Sequence, residues 1–183
     1  GQSNMVGLGR TAGGEGSLEY AVKTKHLYPY LVDDAGNWSV RKDLRYVQFM
    51  QRKGLLKNEW MTVTGKTMGP EYGIGHPVGN AVEAPVLILK SCIGNRSLGW
   101  DLLPPGSESY KFNGETQPGY RGTGADPDGK GERAAGEWYA GCQYDGDVAA
   151  AGKLDAVVRR FIDGRIDHGA RFGARDGVGV GKR

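Results

Sequence analysis

Hydrophobic positions in the first 65 residues come in short, interrupted groups. Leu18 to Lys25 predicts a short helix, ended by His26 and the Tyr28-Pro29 step. Val32-Asp33-Asp34-Ala35-Gly36-Asn37 predicts a turn, because Asp, Asn and Gly accept the backbone angles a turn needs. Trp38–Val40, Val47–Phe49 and Trp60–Val63 gather β-branched and aromatic residues and predict short strands. Together they suggest an excursion of hairpins lying outside any central sheet.

The pattern changes at Gly69. Proline followed by glutamate predicts a helix start at Pro70, running to about Val82, with a kink or break at Pro77. Ala84-Pro85-Val86-Leu87-Ile88-Leu89-Lys90 is a continuous apolar run that predicts a strand buried on both faces, Val86–Lys90 being its core. A helix leading into such a strand predicts an α/β layer fold with a parallel sheet. From Pro104 to Gly136 the reading is loop, with residues 122–131 its most flexible piece. Val148, Leu154, Val157, Val158, Phe161 and Ile162 recur at helical spacing and predict a helix over 144–162. Beyond Asp163 the Gly/Arg/Ala/Val/Asp-rich sequence has no period and predicts disorder.

Composition narrows the classes. The chain has 183 residues, 38% of them hydrophobic and 25% charged, which is one domain's worth of globular sequence. Its 32 glycines exceed twice the usual share of about 7%, predicting a loop-heavy molecule with function on the loops. The net charge of +3 comes partly from arginines after residue 158, without an aromatic pattern beside them, so neither charge nor stacking argues for nucleic acid. No apolar run is long enough to span a bilayer. Cys92 and Cys142 lack metal-site spacing, and the sequence leaves their pairing open.

Chemistry points to the first residues. Ser3 stands between Gln2 and Asn4, with Gly1 before it and Gly7 and Gly9 after it, so the backbone there can turn sharply and approach a ligand. A serine becomes a nucleophile only beside a base and donors for the oxyanion it creates. Taken alone, a serine among glycines is an ordinary loop residue.

Gly1-Gln2-Ser3-Asn4-Met5-Val6-Gly7 resembles the first sequence block of the SGNH hydrolases, in the sialate O-acetylesterase and acetylxylan esterase group. Gly69-Pro70-Glu71 is similar to the family's Gly-Pro-Glu, and Val86–Leu98 resembles its second block, a strand leading into a Gly-Gly-Thr-Ser-like loop. The resemblance implies a three-layer α/β/α flavodoxin-like fold, Ser3 as nucleophile, and an oxyanion hole made by Ser3 and Gly94. It also implies a substrate loop drawn from Gln2, Asn4, Asn95 and Arg96, although Asn95 and Arg96 stand where the pattern has Gly and Thr. Trp100, Trp138 and Tyr139 are candidates for stacking a sugar ring.

The implied activity is a carbohydrate O-acetylesterase acting on an acetylated sugar such as sialic acid or xylan. It needs no metal and no cofactor, has no nucleic-acid or membrane partner, and works outside the cell or in the periplasm. The family's Trp-x-Gln-Gly-Glu/Asp and Asp-x-x-His blocks do not occur here, and His26, His76 and His168 are the only histidines. The resemblance covers residues 1–147, so the chain reads as a fragment, inactive by itself, with a non-native tail from 163. The rival reading is a non-catalytic carbohydrate-binding or scaffold module that has lost the base.

Overall fold

The computed structural model describes residues 3–50, 53–132 and 136–167. Helices and sheets are mixed, as an α/β sequence pattern predicts. The chain forms two compact units, Gly1–Ala150 and Ala151–Arg183, and every feature of the candidate site lies in the first.

That unit is organised by a three-stranded sheet in the order β3-β2-β5, where β2 is Arg41–Met50, β3 Gly54–Met61 and β5 Val86–Ser91. Strands β2 and β3 form an antiparallel hairpin. Strand β5 pairs with β2 in parallel, from Leu44 opposite Val86 to Phe49 opposite Ser91. The hairpin expected to lie outside the central sheet is therefore its middle and one edge. Charge conceals this in the sequence, since Arg41, Lys42, Asp43 and Arg45 interrupt the apolar pattern of β2. Strand parity separates them: Leu44 and Tyr46 enter the core, while Arg45 on the opposite face donates to Asn58 and lies over the Trp60 ring.

Helix α2, Glu71–Ala81, continues through Pro77 as one element instead of breaking there. The carbonyl facing the proline ring belongs to Gly73, which has open space around it and can yield. The helix approaches the sheet through Gly75 and Gly79, one turn apart. A Cβ on Gly79 would lie 2.8 Å from Leu44 Cδ2, and one on Gly75 would collide with the Met61 side chain. Glycine inside a helix costs about 1 kcal/mol relative to alanine, so close packing must offset that loss. The core beneath contains Leu18, Val22, Leu31, Leu44, Tyr46, Met61, Val63 and Tyr72. Leu18 and Val22 arrive on the helix predicted over 18–25, which is wound as a π-helix over Tyr20–Thr24 and capped by the Ser17 hydroxyl.

Strand β5 corrects another expectation. It is parallel, but it is the outer strand of its sheet among the described residues and is covered on one face. Val86 and Ile88 pack toward the core, and buried Lys90 shares their side. Leu87, on the other side, is 37% exposed. An all-apolar run predicts two covered faces, but α2 covers only one.

Five short elements complete the unit's smaller features: α1 (Ser3–Val6), β1 (Gly9–Arg10) paired with β4 (Thr67–Met68), and the hairpin β6 (Tyr110–Phe112) with β7 (Glu115–Gln117). The hairpin falls within the stretch predicted as loop. Its turn residues, Asn113 and Gly114, both have positive φ, at 50° and 82°. The piece predicted to be most flexible is knitted by hydrogen bonds, with Gly119 N–H donating to Pro127 O and Gly131 N–H to the Asp126 carboxylate.

Helix α3 spans Cys142–Asp167, longer at both ends than the predicted 144–162. It passes Asp163 because no proline stops it, and Gly164 alone costs only about 1 kcal/mol. The predicted disordered tail therefore begins with five helical residues, and positions 168–183 lie outside the described residues. Cys92 is buried and forms no disulfide with Cys142.

Candidate functional site

Ser3 opens the single turn α1, closed by the Gly7 N–H donating to Ser3 O at 3.0 Å. The turn ends on Gly7 because nothing larger fits. Gly7 has φ 107°, and a Cβ there would lie 2.5 Å from Met68 C and 2.6 Å from Gly69 N. Ser3 is half-buried, whereas Asn4 is exposed. Gln2 lies outside the described residues.

Gly94 follows β5, 91 positions along the chain, and comes to the same place. A Cβ built on Gly94 would lie 3.9 Å from Ser3 Cβ. Two residues singled out from separate sequence blocks are thus neighbours at the carboxyl end of a parallel strand, where ligands lie in open α/β sheets.

A buried ion pair underlies this rim. Lys90 Nζ donates to Glu71 Oε2 at 2.9 Å, with the side chains 7% and 5% exposed. Both Glu71 oxygens also accept from Gly69 N–H, at 3.1 and 3.0 Å. A Cβ on Gly69 would be 2.8 Å from Met5 O and 3.1 Å from Lys90 Nζ. Sequence reading found Glu71 as a helix start within the Gly-Pro-Glu-like stretch and Lys90 as a strand end within the second block, and gave neither a role in the site. Parity was the usable signal, because Lys90 alternates with Ile88 and Val86 and so faces α2.

The loop after β5 is held by buried Asp101. Its carboxylate accepts from Trp138 Nε1 and Ser97 N–H, both at 2.7 Å, and its carbonyl accepts from the N–H groups of Gln143 and Tyr144. Arg96 lies 3.5 Å over the Trp138 ring and 3.9 Å from Asp101. Arg96 thereby ties its loop to residues 138–144 as part of the scaffold. Asn95 is exposed and adopts φ 56°, a left-handed conformation for which glycine is the default and asparagine a common substitute.

Two of the three aromatic candidates are engaged through their side chains: Trp138 is stacked and hydrogen-bonded as described, and Tyr139 Oη donates to Asp145. Trp100 is held through its backbone, its carbonyl accepting from Gly141 N–H, and its buried indole Nε1 has no hydrogen-bond partner. Asp145 receives Tyr120 Oη as well, at 2.6 Å, and that bond raises the Tyr120 pKa. Asp147 accepts from Ser91 Oγ and from the amide of buried Gln143, linking the end of β5 to the start of α3.

The histidines lie elsewhere. Glu71 sits by Lys90, Gly75 by Ile88 and Gly79 by Leu44, so α2 runs antiparallel to β5. His76 is therefore carried toward the opposite end of the strand from Gly94. It is 2% exposed, its ring tilted at 41° to the Tyr30 ring with centroids 4.9 Å apart, and its Nδ1 lacks a hydrogen-bond partner. Burial first, and then Arg41, lowers its pKa. His26 is exposed with φ 54°, and His168 lies outside the described residues. Among the described residues no three His, Cys, Asp or Glu are grouped to hold a metal, and no helix is long and apolar enough to cross a membrane.

No family model, curated protein or solved structure matches the chain.

Proposed function

We propose that this chain carries the nucleophile half of an SGNH-type serine esterase that removes acetyl groups from carbohydrates. The observation that carries the reading is the meeting of Ser3 and Gly94 at the end of β5. Support also comes from the parallel β2–β5 pair with α2 against one face, an arrangement compatible with part of a three-layer flavodoxin-like fold.

In the proposed reaction Ser3 Oγ attacks the acetyl carbonyl carbon, and its proton passes to a base. The N–H groups of Ser3 and Gly94 stabilise the oxyanion. Collapse breaks the bond to the sugar oxygen, which leaves protonated, and water then releases acetate from acetyl-Ser3. Asp-x-x-His is missing from the sequence, so unaided turnover is expected to be small: loss of one triad member leaves only about 10³–10⁴ over water.

The decisive measurement is acetylation of Ser3 by 4-nitrophenyl acetate at alkaline pH, followed by peptide mass spectrometry. Acetyl should accumulate on Ser3, should be absent from that peptide in Ser3→Ala, and should fall on the order of 10²–10³ in Gly94→Pro, which lacks the donor N–H. Wild-type chain that leaves Ser3 unmodified would overturn the esterase reading and favour a binding module.

A further inference from the structure

Ser3 and Gly94 belong to segments far apart in sequence, and both segments lead to Glu71. On the Ser3 side, α1 ends at Gly7, which sits against Met68 and Gly69 without room for a side chain. Gly69 N–H donates to both oxygens of Glu71. The same glycine faces Met5 O, two residues after Ser3, at a distance that excludes any side chain. On the Gly94 side, β5 is joined to Glu71 by Lys90, four residues before Gly94. A hydrogen-bonded, nearly water-free ion pair in a packed interior holds its partners in one geometry, because breaking it leaves an uncompensated buried charge.

We infer that Glu71 is the positioning residue of the Ser3–Gly94 site, with Lys90 as its counter-charge: one carboxylate sets the separation of nucleophile and oxyanion donor from beneath. Glu71 does not touch the reacting atoms in this scheme. It fixes Gly69, on which the nucleophile turn rests, and fixes β5, which carries Gly94. The inference rests on the esterase reading above and gives a role to Glu71, which the resemblance marked only as the last residue of a Gly-Pro-Glu stretch. Its physical basis is that misplacement by about 1 Å can reduce a reaction on the order of 10²-fold.

The test measures the rate of Ser3 acetylation by 4-nitrophenyl acetate in folded protein, alongside the thermal midpoint. Three variants are compared with wild type: Glu71→Gln, Gly69→Ala and Leu31→Ala. Leu31 lies in the apolar core, so its truncation lowers stability without touching the seat. Glu71→Gln removes the charge, and Gly69→Ala disturbs the seat while leaving both charges in place. The expected result is a loss of ten-fold or more in Ser3 acetylation for both seat variants, with Leu31→Ala near wild type at a comparable loss of thermal midpoint.

A purely structural role would lower the midpoint in all three and leave the acetylation rate of the folded molecules unchanged, which would overturn the inference. If Glu71→Gln does not fold, Gly69→Ala decides alone by the same criterion. A wild-type chain not acetylated at Ser3 overturns the esterase reading and this inference together. A wild-type chain acetylated at Ser3 with unaffected seat variants overturns only the inference.

Discussion

The β2–α2–β5 layer and the segment from Gly94 to Asp147 are held by different forces. In the layer, Leu44, Met61 and Tyr46 are at most 1% exposed, and α2 lies so close that a Cβ at Gly75 or Gly79 would overlap the Met61 or Leu44 side chain. Burial of apolar surface and dense packing supply the stability. In the later segment, regular structure is scarce and buried or half-buried aspartates gather the chain. Asp101 collects donors from residues 97, 138, 143 and 144, while Asp145 and Asp147 join Tyr120, Tyr139, Ser91 and Gln143. The contrast shows how a glycine-rich chain orders long loops: each carboxylate accepts several hydrogen bonds that would otherwise go to water. It also places the candidate site at a seam, with Ser3 seated on the packed layer and Gly94 opening the carboxylate-held segment.

The largest expected effect lies in the packed layer. Leu44→Ala should lower stability by about 2–5 kcal/mol in urea unfolding, because a fully buried leucine leaves a cavity. A cost below about 1 kcal/mol would show that the layer relaxes around the loss and that tight packing does not hold it.

Asp101→Asn should cost about 1–3 kcal/mol, since charge-assisted bonds from Trp138 and Ser97 weaken and at least one donor is left poorly satisfied. Trp138 fluorescence should report the change before global unfolding if the segment opens separately. A single transition coincident with that of the layer would erase the distinction between the two regions.

The smallest effect should appear on acidification of the packed layer. Burial, with Arg41 nearby, lowers the His76 pKa in the folded state, while Asp43 works in the opposite direction. The unfolded chain therefore binds the proton more readily. Stability from keeping His76 neutral is complete above the unfolded value of about 6.5, declines as pH falls below it, and levels off under the folded pKa. Urea unfolding of wild type and His76→Gln at pH 5 and pH 7.5 checks this, because the variant should lose part of the slope. Equal slopes would remove His76 as the source.

Parts of both regions were legible in the sequence. The apolar run before Lys90 marked β5, Pro70-Glu71 marked the start of α2, and the glycines around Ser3 marked a sharply turning backbone. The β6–β7 hairpin was equally legible, since Asn113-Gly114 is a two-residue turn signal, yet the surrounding Gly- and Pro-rich sequence masked it. Strand β2 was harder to see: four charged residues diluted its alternation, and only cross-strand contacts to Asn58 and Trp60 explain how Arg45 is accommodated.

Local sequence by itself determined the periods, turns and helix starts, because these depend on backbone preferences and on residues a few positions apart. It also determined that Ser3 lies a few residues from a sharply turning backbone at Gly7. Tertiary structure alone decided that β2 is central, that β5 has one uncovered face, that Arg96 is committed to Trp138, and that Glu71 and Lys90 meet beneath Ser3 and Gly94. Each of those outcomes depends on contacts between residues distant in sequence, such as Leu44 with Val86, Arg96 with Trp138 and Glu71 with Lys90, where a side chain's surroundings are set by how layers pack.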